Sequence, residues 1–405
     1  MSLAAQAFPN DFSVGDATGP SLWPVTQKWS WKMEQEYSQW VRENLTPDFY
    51  IKYQVPTVCV DVVYTLRWIF AREHGLPAAN TIYEMVERSN GQKEKVYRLF
   101  TNYSRFPNDH LPTAPEWNKD RRFLAALDYL VHHANSPLLW TDSYPIAINN
   151  ESLLPGAYHI NKDANVAHTM IIWQVNHDPD EIPVITLSST EPRIVRPLNQ
   201  YMYVETQADP HHLAILRMRW PIVSNEHQIY LQARPLMPYF SMEQFDRSFA
   251  QAPRHDFWQE IFHRVDPQVN FAPLAMESLV QIEKMLAIRK TTVDQGYEFC
   301  KQHGPCREGT KEWDDWSTPG LDARIKGNIS VFEQLRDNVE DHEALDIELK
   351  RIFVLGDGLY LSLGDLIDHF TDDDDDRQKY SSNPNDDMFK RWGFTQPQKI
   401  QSKNP

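Results

Sequence analysis

Cysteine is scarce in this sequence: three residues among 405, which allow one disulfide at most and leave an odd thiol. Positive charge is in deficit. Forty Lys and Arg face 56 Asp and Glu, a net charge of −16, which argues against a nucleic-acid or anionic-membrane ligand. No helix-turn-helix or RNA-binding signature occurs, and no internal repeat. No apolar run approaches the roughly 20 residues of a membrane-spanning helix. No His-Glu-x-x-His motif occurs, and the pairs His132-His133 and His211-His212 offer one metal ligand each at best, because adjacent helical residues point apart. No metal and no cofactor are expected. A complete signal peptide is also missing. However, Met1-Ser-Leu3 reads as an expression leader, and Ala4-Ala-Gln-Ala7 resembles the small-residue end of a cleavage site. The expectation is an exported protein, periplasmic or secreted, whose signal is absent from this sequence; the alternative is an ordinary N-terminus.

What is present is apolar and aromatic. Hydrophobic residues make up 41% and aromatic residues 12%, enough for a large core. The length fits two or three domains. Residues 1–45 read as an N-terminal extension with a Trp-rich amphipathic helix from Gln27, capped by Asn44-Leu-Thr-Pro47. Residues 46–235 read as helices (59–73, 81–100 and 118–134) followed by strands (145–233), an α+β order with an antiparallel sheet. Residues 236–370 carry helical periodicity in Phe257–Phe262, Leu274–Thr291 and Leu321–Leu355, and 371–405 form an acidic tail.

Chemistry concentrates on Cys59. Pro56 excludes a helix interior just upstream, and Gly75-Leu-Pro77 ends the apolar stretch that follows. Cys59 is therefore placed at a helix N-terminus, where unpaired N–H groups and the helix dipole favour a thiolate nucleophile. His168 opens the second strand of an expected hairpin, Pro155–Ile160 with Ala167–Val175, and is the candidate base. A third polar group would orient the imidazole; Thr186, Ser188 and Ser189 fall on or after the next strand, and Ser188 is preferred. Asp61 is read as a dipole partner of the helix start or a contact for a substrate amine, and Tyr53 as a packing residue or a substrate contact.

Two blocks carry a resemblance. Val58-Cys-Val-Asp-Val-Val-Tyr64 and Leu154-Pro-Gly-Ala-Tyr…Ala167-His-Thr-Met-Ile-Ile172 resemble the NlpC-like branch of the papain fold, bacterial cell-wall cysteine hydrolases. The resemblance implies Cys59 as nucleophile and His168 as base, and an amide bond in a peptide or peptidoglycan stem as substrate. The sequence departs from the family: Val58-Cys-Val-Asp61 replaces Asp-Cys-Ser-Gly, and Ala167 precedes the histidine in place of Gly. A non-catalytic envelope scaffold or interaction protein retaining the fold, and an acyltransferase on the same Cys–His chemistry, are the alternatives.

Elsewhere, the Gly304-Pro305 turn lets Cys300 and Cys306 approach, as a disulfide or as two reduced thiols. Trp313 and Trp316 are expected to cover a helical core. The run Asp372–Asp376 lacks the spacing of a calcium loop and reads as a solvated acidic loop.

Overall fold

A computed structural model of the protein describes residues 14–88, 91–162, 167–178, 181–190, 192–201, 213–245, 257–356, 359–371 and 380–393. The chain divides into two compact units, Met1–Asp178 with Pro183–Gln268, and Pro179–Ile182 with Val269–Pro405. The expected boundaries at 45 and 235 therefore move. The N-terminal extension and the segment after 235 pack with the α+β domain, and the described part of the acidic tail belongs to the helical unit.

In the first unit the order is β1 (Gly15–Asp16), α1 (Trp31–Asn44), α2 (Phe49–Tyr53), α3 (Cys59–Glu73), β2 (Ala79–Glu87), β3 (Lys93–Thr101), α4 (Arg121–His133) and α5 (Ser136–Thr141). Strands then dominate: β4 (Ser143–Pro145), β5 (Tyr158–Lys162), β6 (Ala167–Val175), β7 (Val184–Ser188), β8 (Asn199–Tyr201), β9 (Leu213–Met218), β10 (Pro221–Val223) and β11 (Gln228–Leu231), before α6 (Phe257–Val265). Six of them form an antiparallel sheet in the order β4-β9-β5-β6-β7-β8. The expected α+β class with an antiparallel sheet is the class observed.

Helix α3 begins at Cys59 and is buried from Val60 to Ala71, so it lies within the core on every side, its buried polar residues Asp61, Thr65 and Arg67 each holding a partner. Trp68 stacks on Phe100 and donates through Nε1 to Asn80 Oδ1 at 2.8 Å. Gly75 ends the helix at φ +62°; a Cβ there would lie 2.4 Å from Thr26 Oγ1, so both conformation and space require glycine. The N-terminal tryptophans are core residues, as expected: Trp23 and Trp29 are buried and donate to the carbonyls of Leu76 and Pro77.

The helix expected over 81–100 is instead the β2–β3 hairpin, in register from Ala79↔Thr101 to Glu87↔Lys93. Its strands carry Thr81-Ile-Tyr83 and Val96-Tyr97, side chains that suit a pleated surface. The Arg98 guanidinium is bidentate to Glu84, holding the Glu84 carboxyl down at about 2. Asp142, buried, accepts from Thr81 N at 2.7 Å and Asn80 Nδ2 at 3.1 Å; burial nevertheless pushes it up to about 6.

One carboxylate ties the N-terminal helix to this unit. Glu34 of α1 is buried and accepts from Arg67 Nη1 of α3 at 3.0 Å, Arg217 Nη1 of β9 at 3.1 Å and Trp220 Nε1 at 2.7 Å. Burial opposes its charge, but the two guanidiniums overcome that and hold Glu34 below the ordinary carboxylate range.

The second unit contains α7 (Phe271–His303), α8 (Lys311–Trp316), α9 (Pro319–Arg336), α10 (Glu343–Leu349), the hairpin β12 (Ile352–Gly356) and β13 (Leu359–Ser362), α11 (Leu363–Thr371) and α12 (Met388–Arg391). The helix expected to reach Leu355 breaks into two, and its end is strand β12. Trp316 packs on Phe299 and against Gly296 of α7, the covering role expected of it. Cys300 and Cys306 form a disulfide. The Asp372–Asp376 run lies outside the described residues. Among the described residues, no helix is long and apolar enough to cross a membrane.

Glu34→Ala leaves two buried guanidiniums facing no anion, a change expected to cost about 3–5 kcal/mol. Urea unfolding of the variant against the native chain measures this; a loss below about 1 kcal/mol would mean that the cluster does not anchor α1.

Candidate active site

Cys59 is half-buried and is the first residue of α3. The chain reaches it through Thr57, which forms a bridge to Ile194 and whose carbonyl accepts from Ser189 Oγ at 2.9 Å. Val58 has no side-chain acceptor to cap the helix; Asp61 supplies the cap from the other side, accepting the Val58 N–H at 2.9 Å. Asp61 is wholly buried and paired with Arg193, whose Nε donates at 2.7 Å and whose Nη2 also donates to Val131 O at 2.8 Å. Burial pushes the Asp61 carboxyl up, against the pull of Arg193 and of the Val58 amide. The carboxylate is therefore a structural cap of the helix, tied to Arg193. It also supplies negative charge at the helix end whose dipole would otherwise act on the thiol.

The position of His168 follows from the strand register. Neighbours along a strand alternate between faces, and cross-strand partners share one. Tyr158 pairs with Ile171 and Ile160 with Thr169, so these four point to one side. The helices lie on that side. Thr169 Oγ1 donates to Ser136 Oγ of α5 at 3.4 Å, and Tyr64 of α3 donates to the carbonyl of Asn135, just ahead of α5. Leu216 pairs with Tyr158, which puts Met218 on the same side; Met218 meets Asn80, the residue that Trp68 of α3 bonds. His168 and Met170 alternate onto the other face, together with His159, the partner of Met170. Helix α6 packs on that second face: the His159 ring lies 5.3 Å from Trp258 and 5.8 Å from Phe257.

By this alternation Cys59, on the helix side, and His168 lie towards opposite faces of the sheet. The elements are as expected, a helix start and the first residues of a strand; the alternation of β6 turns the imidazole away from the helix. Ser188 does not orient it either. Its hydroxyl lies 2.7 Å from Thr169 O and 3.0 Å from Ser189 O, satisfied by backbone. Ser189, the rejected neighbour, is the residue that reaches the Cys59 loop. Tyr53 packs on Phe49 and Trp117, with the Lys52 ammonium 4.9 Å above its ring, which is the packing role.

Two residues were missed. Arg193 follows Glu191-Pro192 in an irregular stretch, where no spacing announces a partner for Asp61. His159 is fully buried, and neither ring nitrogen has a hydrogen-bond partner. Among the described residues, no group of three His, Cys, Asp or Glu could hold a metal ion.

Burial, helped by the charge of His168, drives the His159 imidazole down to about 3 from 6.5. The folded state therefore binds fewer protons than the unfolded one. The stability that neutral His159 supports is complete above 6.5 and is lost as pH falls from there towards 3. His159→Leu is expected to remove this acid lability. Between pH 6.5 and 4 the native chain should lose stability relative to the variant by about 1.4 kcal/mol per pH unit, measured by urea unfolding.

Compared with family models, curated proteins and solved structures, the chain matches none.

Proposed function

We propose that this protein is a non-catalytic scaffold or interaction protein of the bacterial envelope, whose α+β domain keeps a papain-like, NlpC-like arrangement of elements without its chemistry. One observation carries the reading: Cys59 stands on the helix-covered side of the sheet, and His168 points to the side covered by α6. General-base catalysis needs hydrogen-bond reach between the pair, directly or through one water. Asp61, which caps the helix and binds Arg193, gives the Cys59 loop a structural role. The Cys300–Cys306 disulfide supports an oxidising, extracytoplasmic location. The binding partner in this reading is a peptide or cell-wall component.

A second reading, amide hydrolysis in a peptide or peptidoglycan stem through an acyl-thioester on Cys59, is favoured by the half-buried position of that cysteine in the first turn of α3. Acyl transfer has the same requirement.

The rate of Cys59 alkylation by iodoacetamide between pH 5 and 9 separates them. The scaffold reading expects a slow reaction whose midpoint is at or above about 8.5, unchanged in His168→Ala and absent in Cys59→Ala. A fast reaction with a lower midpoint, lost in His168→Ala, would sink it in favour of the hydrolase.

A further inference from the structure

The helical unit buries two arginines around one carboxylate. Arg289 of α7 and Arg391 at the end of α12 are 0% and 1% exposed, and Asp322 of α9 is 2% exposed. Arg289 Nε donates to Asp322 Oδ1 at 2.6 Å, and its Nη2 donates to the carbonyl of Arg391 at 2.9 Å. Asp322 Oδ2 is already occupied by Thr318 Oγ1 at 2.7 Å and Ser382 Oγ at 2.6 Å. Among the described residues, the Arg391 side chain reaches Trp316 O and Thr318 Oγ1, both through Nη2. The nearby carboxylate of Asp386 is bonded to Lys390 and Ser381.

Donors therefore outnumber acceptors. Arg289 Nη1, Arg391 Nε, Arg391 Nη1 and Trp392 Nε1 are buried and have no hydrogen-bond partner among the described residues. These side chains belong to one cluster: the Arg289 guanidinium lies 4.4 Å from the Trp392 ring, with Phe370 and Tyr380 beside it. Burial, and then the charge of Arg289, lower the Arg391 guanidinium to about 10, against the pull of Asp322 and Asp386.

The Glu34 cluster of the other unit has the same composition, two arginines and one carboxylate. There, however, Arg217 also reaches Ser38 Oγ at 3.2 Å and Leu154 O at 3.0 Å, and neither arginine leaves a buried nitrogen unmatched. Single buried arginine nitrogens without a partner among the described residues occur elsewhere in the first unit, at Arg72 Nε and Arg122 Nε, but not in the Glu34 cluster. The Arg289–Arg391 cluster differs in having surplus donors and surplus positive charge, the complement of an anion with several acceptor oxygens.

We propose that Arg289, Arg391 and Trp392 form a binding site for a tetrahedral oxyanion, a phosphate group either free or as a phosphomonoester. A carboxylate presents two oxygens to these four nitrogens on three side chains; a phosphate group presents three or four. The indole N–H is a donor only, so it adds to the demand for an acceptor.

Thermal unfolding of the full chain in inorganic phosphate, against chloride at equal ionic strength, tests this. Phosphate at 50 times its dissociation constant or more should raise Tm by about 3 °C or more, because it binds the folded state alone. Phenyl phosphate in a parallel series identifies the source: a larger rise than with inorganic phosphate assigns the site to an ester, an equal or smaller one to the free ion. Arg391→Met removes an unmatched buried charge and should fold at least as stably without phosphate, with the phosphate response gone. Trp392→Phe should keep the fold and weaken the response several-fold. Equal Tm in phosphate and chloride for the native chain would overturn the proposal, as would an undiminished phosphate response in both variants.

Discussion

The Glu34 carboxylate holds the first unit together. It is buried where burial alone would neutralise it, and two guanidiniums keep it ionised. Through them it joins α1 to α3 and to β9, elements far apart in sequence. Arg67 also lies 3.4 Å over the Trp29 ring, and Arg217 extends to the carbonyls that lead into β5. The path of the chain into the hairpin β5–β6, and hence the register that turns His168 away from α3, rests against this cluster. A buried ion pair of this kind is weak evidence for net stability but fixes which partner meets which, since removing one member leaves a charge in the core.

The two arginine clusters show how donor accounting separates structure from binding. Both place two guanidiniums around one carboxylate. In one, hydroxyl and carbonyl acceptors absorb the remaining N–H groups; in the other, several are left over. What sets the second cluster apart is that four such donors gather on three neighbouring side chains, where the proposed anion would meet them.

The region around Cys59 shows a related economy. The resemblance seen in the sequence rests on the helix start, the turn at Pro155-Gly156 and the strand pair. Yet the helix dipole is answered by Asp61, Asp61 by Arg193, and the loop carbonyl of Thr57 by Ser189. Asp61 and Ser189 are thus taken up in structural contacts, and by the strand alternation His168 lies across the sheet.

The sequence by itself determined much of this protein. The α+β order, the limits of α3, the β5–β6 hairpin and the core role of the tryptophans were legible, because proline, glycine and apolar periodicity act locally; the approach of Cys300 to Cys306 was legible too, but whether they bond was left open. The β2–β3 hairpin was misread as a helix, since its mixed charged and apolar residues fit either period until Asp142 and α4 supply its partners. Only the tertiary structure decided the site. Which face a strand residue takes is set by register, and a shift of one residue inverts it; no local signal in Ala167-His-Thr-Met170 says whether histidine or threonine meets the helix. The same holds for Arg193, His159 and the Arg289–Arg391 cluster, whose meaning lies in partners present or missing once the chain has folded.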